Sequence, residues 1–231
     1  MNLFEKEALV KQKAEELEYA TPQEILAYAV EAFPNITFAC SFGAEDVVLV
    51  DMLQKISPKT DIFYLDTDFH FKETYETRDR MVERYPGIPF VEVKPLITPE
   101  EQAERHGAEL WKSDANACCN IRKVEPLTRV LSKYEAWITG IRRDQAPTRA
   151  NAKKVEYDTK FGLIKFNPIA GWTSEDVWNY IRENDVIYNP LHDNNYPSIG
   201  CEYCTRQVMP GEDPRAGRWS GQEKTECGLH K

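Results

Sequence analysis

The 231-residue sequence contains no apolar run that approaches the ~18–20 residues of a membrane-spanning helix. Its N-terminus, MNLFEKEALVKQKAEEL, is charged throughout and lacks the apolar stretch of a secretory signal peptide. With 11 glycines it is no collagen-like repeat, and with 42% hydrophobic residues it is too apolar for a disordered chain. We therefore expect a soluble, cytoplasmic, globular protein without a membrane partner.

Basic residues are scarcer than acidic ones: 29 Lys and Arg stand against 38 Asp and Glu, a net charge of −9. This balance argues against a general nucleic-acid binder, so we expect no nucleic-acid partner. Residues 118–154 are the exception, because they hold nine Lys and Arg but three acidic residues. A basic segment in an acidic protein predicts a small, strongly anionic ligand, although solvated helix faces would give the same pattern.

Helical and strand-like patterns alternate along the chain, which is typical of an α/β fold with a parallel twisted sheet and helices on both faces. Apolar runs predict strands at 36–40, 61–65, 90–93, 136–141 and 163–166. Start signals and apolar spacing predict helices at 3–19, 22–33, 44–56, 72–85, 99–106 and 174–182. We expect one α/β domain over residues 1–185, of which 1–33 are N-terminal helices. An irregular segment, 186–231, should pack on that domain.

Three loops follow predicted strands: Ser41-Phe42-Gly43, Leu65-Asp66-Thr67 and residues 139–143. In a parallel sheet the carboxyl ends of the strands share one edge, where ligands usually bind. A turn that leads into a helix presents backbone N–H groups and the positive end of the helix dipole to an anion. One such turn is weak evidence by itself, since any α/β protein has several.

Four of the six cysteines form two close pairs, Cys118-Cys119 and Cys201-x-x-Cys204. Disulfides are rare in a reducing cytosol, and adjacent cysteines bond only with strain, so these pairs predict a metal site. Four thiolates suit zinc or an iron–sulfur cube. Zinc more often uses two x-x-spaced pairs, so the adjacent pair favours iron–sulfur, with unligated core cysteines as the alternative. Cys40, at the end of an apolar strand, is expected to be an inert core residue.

Cys227 lies four residues from the end of the sequence, where we expect an exposed segment. Lys224 and His230 flank it three residues away on either side and could lower the pKa of its thiol, which predicts a thiolate nucleophile. No neighbouring cysteine could resolve its covalent intermediate, so an external thiol would have to do so. A tail cysteine without a role is the alternative.

Five motifs together carry a resemblance to a known family. They are CCNIRKVEPL (118–127), TGIRRDQAPTR (139–149), YPSIGCEYCT (196–205), GEDPRAGRW (211–219) and KTECGLH (224–230). In these motifs and their order, the chain resembles the assimilatory sulfonucleotide reductases, and more narrowly the adenylyl-sulfate reductases that carry a 4Fe–4S cluster. The resemblance runs from about residue 35 to the end of the sequence.

The resemblance implies an adenine nucleotide α-hydrolase-like fold of the PP-loop kind and assigns a role to each group of residues. The modified phosphate loop would be Ser41, Phe42 and Gly43. The remaining substrate-binding residues would be Leu65, Asp66, Thr67, Gly140, Ile141, Arg142, Arg143 and Arg149, the last of them closing the adenosine pocket. The residues facing the phosphosulfate would be Lys123, Arg215, Arg218 and His230, and the nucleophile Cys227. The ligands of one 4Fe–4S cluster would be Cys118, Cys119, Cys201 and Cys204.

The implied reaction is the reduction of adenylyl sulfate to sulfite and AMP, through a Cys227 S-sulfo intermediate that thioredoxin or glutaredoxin cleaves. The main rival is the 3′-phosphorylated substrate, whose extra phosphate Lys153 and Lys154 could hold. A tRNA-thiolating enzyme of the same fold would need an SGGKDS loop and a broad basic face, whereas this chain has SFGAED and a net negative charge. A zinc-binding interaction module would leave Cys227 unexplained. Either a monomer or a homo-oligomer is compatible with the sequence.

Overall fold

The computed structural model describes residues 1–229, in which helices flank a six-stranded sheet. The strands are β1 (Ile36–Ala39), β2 (Asp61–Leu65), β3 (Phe90–Val93), β4 (Ala136–Ile138), β5 (Val155–Asp158) and β6 (Leu163–Phe166). The α-helices are α1 (Leu3–Glu16), α2 (Pro22–Ala32), α3 (Ala44–Ile56), α4 (Lys72–Arg84), α5 (Pro99–His106), α6 (Leu110–Ser113), α7 (Ala115–Cys119), α8 (Glu125–Leu131) and α9 (Ser174–Glu183). The predicted α/β class is confirmed.

The sheet has the strand order β3-β2-β1-β4-β6-β5. All neighbouring pairs are parallel except β5 and β6, which run antiparallel at one edge. The chain adds β2 and then β3 on one side of β1, and it returns to add β4 on the other side. In open parallel sheets this reversal leaves a crevice at the carboxyl ends of the strands. The loops after β1, β2 and β4 therefore meet at one place.

The sequence analysis missed one strand and made another too long. The edge strand β5 was not predicted, because two of its four residues, VEYD, are acidic and the run is short. Strands β5 and β6 form an antiparallel hairpin in which Tyr157 lies opposite Ile164. The fourth strand ends at Ile138 rather than at 141, although the Thr139 N–H still donates to the Phe166 carbonyl at 2.9 Å and the Thr139 hydroxyl donates to Asn167 Oδ1. The strand thus ends three residues early, and residue 140 lies in the loop.

Capping boxes begin four of the helices. The boxes consist of Asn2 with Glu5, Thr21 with Glu24, Thr98 with Glu101, and Thr173 with Asp176. In each box a side-chain oxygen accepts from the third helical N–H, and the acidic side chain accepts from the N-cap N–H. Such a cap contributes about 1 kcal/mol to helix stability. This local chemistry explains why the helix starts could be predicted.

Helix α3 is the centre of the main hydrophobic core. Val47, Val48, Leu49 and Val50 have no exposed surface. A helix that is apolar on all sides has to be covered on all sides, and here α2, α9 and the sheet cover it. Each fully buried side chain of this size contributes roughly 1.5–3 kcal/mol. The packing fixes the N-terminus of α3 beside the carboxyl end of β1.

After α9 the described chain forms short 3₁₀ turns at Pro190–Asn194 and Glu202–Cys204 but no further α-helix or named strand. Isolated bridges pair His70 with Cys201 and Thr205 with Arg218. The sequence predicts an exposed tail, but the described part of the tail lies against the protein. Leu229 packs against the hydrophobic cluster around Leu127. No described helix is both long and apolar enough to cross a bilayer.

Candidate functional site

A cleft of about 930 Å³ opens where the loops after β1, β2 and β4 meet. Most of the site residues predicted from the sequence line it: Ser41, Gly43, Leu65, Thr67, Lys123, Gly140, Ile141, Arg142, Arg143, Arg149, Arg215, Arg218 and Cys227. Two do not. The Phe42 ring is buried and packs edge-on against Tyr64, and the Asp66 carboxylate accepts from the Tyr75 hydroxyl at 2.8 Å. His230 lies outside the described residues.

The turn before α3 holds a carboxylate of its own. Asp46 Oδ2 accepts from the backbone N–H and the hydroxyl of Ser41, both at 2.6 Å. Burial raises the pKa of Asp46 to about 6, although the Ser41 hydrogen bonds oppose that shift. At neutral pH the turn therefore carries a largely negative side chain, which opposes the binding of a highly charged anion such as a triphosphate. The SFGAED sequence predicts the same restriction.

Gly140 approaches this turn so closely that a side chain would not fit. A Cβ at position 140 would lie 2.1 Å from Asp46 Oδ1 and 3.1 Å from Glu45 Cβ. We expect Gly140→Ala to lower the free energy of unfolding by about 1–3 kcal/mol, because the pinned carboxylate would have to move. It should also weaken AMP binding roughly tenfold, since the loop lines the cleft.

Urea unfolding and equilibrium dialysis with AMP measure these two effects. Gly87→Ala is the matched control, because no other part of the described chain lies within 4 Å of a Cβ at that position. Equal stability and equal AMP affinity in the two variants would contradict the prediction.

Four of the nine cations of the basic segment pair with acidic residues from elsewhere in the described chain. Arg142 Nη2 lies 2.8 Å from Glu45 Oε1, and Arg142 also pairs with Asp144. Arg143 Nη1 lies 2.7 Å from Glu18 Oε1. The local charge excess in the sequence therefore does not become one open cationic surface. Sequence reasoning missed these partners, because an acid far along the chain gives no local signal of its contact.

Three cations, Lys123, Arg215 and Arg218, line the cleft together with Cys227. Lys123 is buried, and burial alone lowers the pKa of its amine. The neighbouring sulfurs of Cys201, Cys227 and Cys119 more than offset that effect and raise the pKa of Lys123 above its usual value. The amine therefore stays charged at neutral pH.

Lys224, which precedes Cys227 by three residues, makes its contacts away from the cleft. Its amine donates to Asn116 Oδ1 at 2.5 Å and lies 5.5 Å from the centre of the Trp219 ring. Lys224 therefore helps to hold the tail against the protein rather than lining the cleft.

Two arginines complete the cationic end of the cleft. The Arg218 guanidinium lies over the Trp219 ring at 4.5 Å and donates to Ser198 Oγ at 3.3 Å. The Arg215 side chain is 16% exposed and donates to the Thr225 carbonyl at 3.0 Å.

Lys123 and Arg215 both lie close enough to Cys227 to interact with its sulfur electrostatically, and Arg218 interacts with both of these cations. Cys227 lines the cleft, and it also packs against the small group of buried apolar side chains that contains Cys119 and Trp219. A thiol among fixed cations at the end of a cleft can attack an anionic substrate there.

The two cysteine pairs meet around a second, small cavity. Cys118, Cys119, Cys201 and Cys204 all line it, although the pairs are far apart along the chain. Burial, and then the neighbouring sulfurs, raise the pKa of Cys118 to about 12 and that of Cys204 to about 11. These thiols would ionise only if a positive charge were bound beside them, as a metal does when it takes thiolate ligands.

The cavity also has N–H groups without acceptors. Arg122 Nη2, Arg218 Nε and Trp219 Nε1 are buried, have no hydrogen-bond partner among residues 1–229, and belong to residues that line the cavity. Buried donors are nearly always paired, so this group fits an anionic, sulfur-rich occupant. Within the described part of the chain, no set of three or more His, Cys, Asp or Glu side chains is arranged to hold a single metal ion. Sequence reasoning did not assign Arg122 or Trp219 a role, although both lie in the quoted motifs.

A widened helical turn presents these residues. Helix α7 ends at Cys119 and runs directly into a π-helical turn, Asn120–Val124, before α8 begins. Such turns add a residue to the helical circuit and are frequent at functional sites. Arg122 and Lys123 lie on this turn, so one irregular segment contributes to the cavity and to the cleft.

The lysine pair considered for an extra phosphate lies elsewhere. Neither Lys153 nor Lys154 is among the described residues that line the cleft. Lys154 is buried, and its amine donates to the Ala20 carbonyl at 2.8 Å. It therefore ties the loop after α1 to the sheet edge.

The chain belongs to the phosphoadenosine phosphosulfate reductase domain family, which matches residues 35–207. It is 50% identical over 216 residues to the adenosine 5′-phosphosulfate reductase of Halalkalibacterium halodurans, covering 93% of this chain and 94% of that one. It is 52% identical over 208 residues to the protein of the same name from Shouchella clausii, covering 90% and 86%. The resemblance found in the motifs is confirmed.

A solved structure shares the fold. The phosphoadenylyl-sulfate reductase of Candida auris, in a phosphate complex, aligns with a TM-score of 0.75 and 33% identity. The alignment covers 86% of this chain and 96% of that one.

Proposed function

We propose that the protein reduces adenosine 5′-phosphosulfate to sulfite and AMP, with a thiol protein as the reductant. The observation that carries the proposal is the place of Cys227, at the cationic end of a nucleotide-sized cleft. Two relatives at 50% and 52% identity that are named for this substrate support it.

In the first step the Cys227 thiolate attacks the sulfur of the phosphosulfate anhydride. A sulfur–sulfur bond forms and the sulfur–oxygen bond to the phosphate breaks, which leaves a Cys227 S-sulfo group and AMP. Negative charge builds on the departing phosphate, and Lys123, Arg215 and Arg218 are the cations available to offset it. His230, which lies outside the described residues, is proposed to face the same anion.

In the second step a thiolate of thioredoxin or glutaredoxin attacks the Cys227 sulfur and releases sulfite. The mixed disulfide is then resolved by a second thiol, which returns Cys227 to its reduced form. The two electrons that convert the sulfate sulfur to sulfite therefore come from thiols.

The cysteine cavity supports the proposal of one 4Fe–4S cluster held by Cys118, Cys119, Cys201 and Cys204. Four thiols and three N–H donors that lack acceptors within residues 1–229 suit a group of iron and sulfide. Bound there, the cluster would supply fixed charge and a link between the two cysteine segments. Lys123 lies beside both these cysteines and Cys227, so it is the residue that couples the cavity to the cleft.

A comparison of kcat/KM for the two sulfonucleotides tests this function. We expect kcat/KM for adenosine 5′-phosphosulfate to exceed that for the 3′-phosphorylated nucleotide by at least roughly tenfold, since Lys153 and Lys154 lie away from the cleft. Steady-state sulfite release with thioredoxin, on anaerobically purified protein, measures both values. A preference for the 3′-phosphorylated nucleotide would contradict the prediction, and no sulfite from either would contradict the function.

A further inference from the structure

The residue before the proposed nucleophile is a buried, fully engaged carboxylate. Glu226 is 4% exposed. It accepts from Arg149 Nε at 2.9 Å, Arg149 Nη2 at 2.8 Å, Thr148 Oγ1 at 3.0 Å and Arg215 Nη2 at 3.2 Å. The contact with Arg149 is a two-bond pair, the strong and directional form of an arginine–carboxylate contact.

Arg149 lines the cleft, and each nitrogen of its guanidinium also donates to a side chain of the protein. Its third nitrogen, Nη1, donates to Gln145 Oε1 at 2.6 Å. Its side chain is 13% exposed and that of Glu226 is 5% exposed. The role of Arg149 in closing the adenosine pocket stays a prediction, since Arg149 also lines the cleft.

The other polar contacts of the tail lie at the surface. Lys224 Nζ meets Asn116 Oδ1 at 2.5 Å, and Lys160 Nζ meets the Gly228 carbonyl at 2.5 Å. Exposed contacts of this kind contribute little to stability, whereas breaking a buried ion pair is costly. Among the polar contacts of the described tail, those of the buried Glu226 carboxylate are therefore the strongest, and they act beside the apolar contact of Leu229 with the cluster around Leu127.

We propose that Glu226 is a positioning residue that, through Arg149 and Arg215, seats the tail so that Cys227 lies at the end of the cleft. The inference rests on the proposed function, because it assigns Cys227 the nucleophilic role. One carboxylate between two guanidinium groups leaves a net positive charge beside Cys227, so the anchor does not cancel the attraction for an anionic substrate.

The test is Glu226→Gln in the cluster-loaded protein, with Glu223→Gln, an exposed residue of the same tail, as the matched control. Without nucleotide, we expect iodoacetamide to alkylate Cys227 at least about tenfold faster in Glu226→Gln, because the tail leaves its seat. With saturating adenosine 5′-phosphosulfate, formation of the S-sulfo group in a single turnover should slow by at least about tenfold. The Kd for AMP should rise by less than about threefold.

Arg149→Met and the double variant, which combines Glu226→Gln with Arg149→Met, complete a double-mutant cycle. If Arg149 acts through Glu226, the double variant should be no slower than either single variant. Iron content and the unfolding transition, matched to wild type, show that each variant is folded. An alkylation rate like that of wild type, additive losses in the cycle, or a loss explained by a raised Kd would each overturn the anchor. Absence of reductase activity in wild type would refute the proposed function, and the alkylation rates would still test the seating of the tail.

Discussion

Cys227→Ser is expected to reduce turnover to background while leaving the fold, the cluster and nucleotide affinity intact. A serine hydroxyl keeps its high pKa and attacks sulfur far more slowly than a thiolate. The replacement is close to isosteric, and the Glu226 contacts that hold the tail do not involve the Cys227 side chain. Sulfite release, thermal unfolding, iron content and AMP affinity measure turnover, fold, cluster and nucleotide binding separately.

Wild-type protein provides the complementary result. Mixed with substrate in the absence of thioredoxin, it should stop after one turnover and carry an S-sulfo group on Cys227 that thioredoxin removes. Mass spectrometry locates the adduct. Turnover by Cys227→Ser, or an adduct on Cys40 or on one of the four paired cysteines, would contradict this mechanism.

Cys201→Ser is expected to remove the cluster. Anaerobically purified wild-type protein should contain about four iron and four sulfide per chain, and the variant should lose most of both. Because the cluster would link the two cysteine segments, we expect the melting temperature to fall by roughly 5 °C or more when it is lost. Iron and sulfide analysis, visible absorption and thermal unfolding measure these changes.

Cys40→Ala is the control for this experiment. Cys40 is buried and lines the nucleotide-sized cleft rather than the cysteine cavity, so its removal should leave the iron content unchanged. Stoichiometric zinc without iron in wild-type protein would overturn the cluster assignment.

Much of the fold follows from local patterns in the sequence. The capping box at Thr21 and Glu24, the apolar run of α3 and the buried strand β1 are each set by near neighbours in the chain. Strand β5 was missed because its four residues include two acids, although the hairpin that pairs it with β6 is local in the sequence. The apolar run 136–141 also continues past Ile138, where β4 ends, so the run did not indicate that end.

The site residues divide in the same way. Strand ends and cysteine spacing indicate where ligands would bind, because loops at the carboxyl edge and paired thiols have recognisable sequences. The partners of the charged residues were not predictable. Arg142 and Arg143 look like free cations in the sequence, yet Glu45 and Glu18 neutralise them in the folded chain.

Short-range spacing and the order of motifs were enough to predict the class of fold, the family and the chemical types at the site, because near neighbours in the chain encode all three. The family resemblance also implied that the two cysteine pairs meet, whereas the contacts of Glu226 became clear in the folded chain alone. There, four cysteines from two segments surround one cavity, Lys123 lies between that cavity and Cys227, and Glu226 lies between two arginines. A long-range contact depends on the packing of the whole chain, so a residue's type and its sequence neighbours do not specify its partner across the fold.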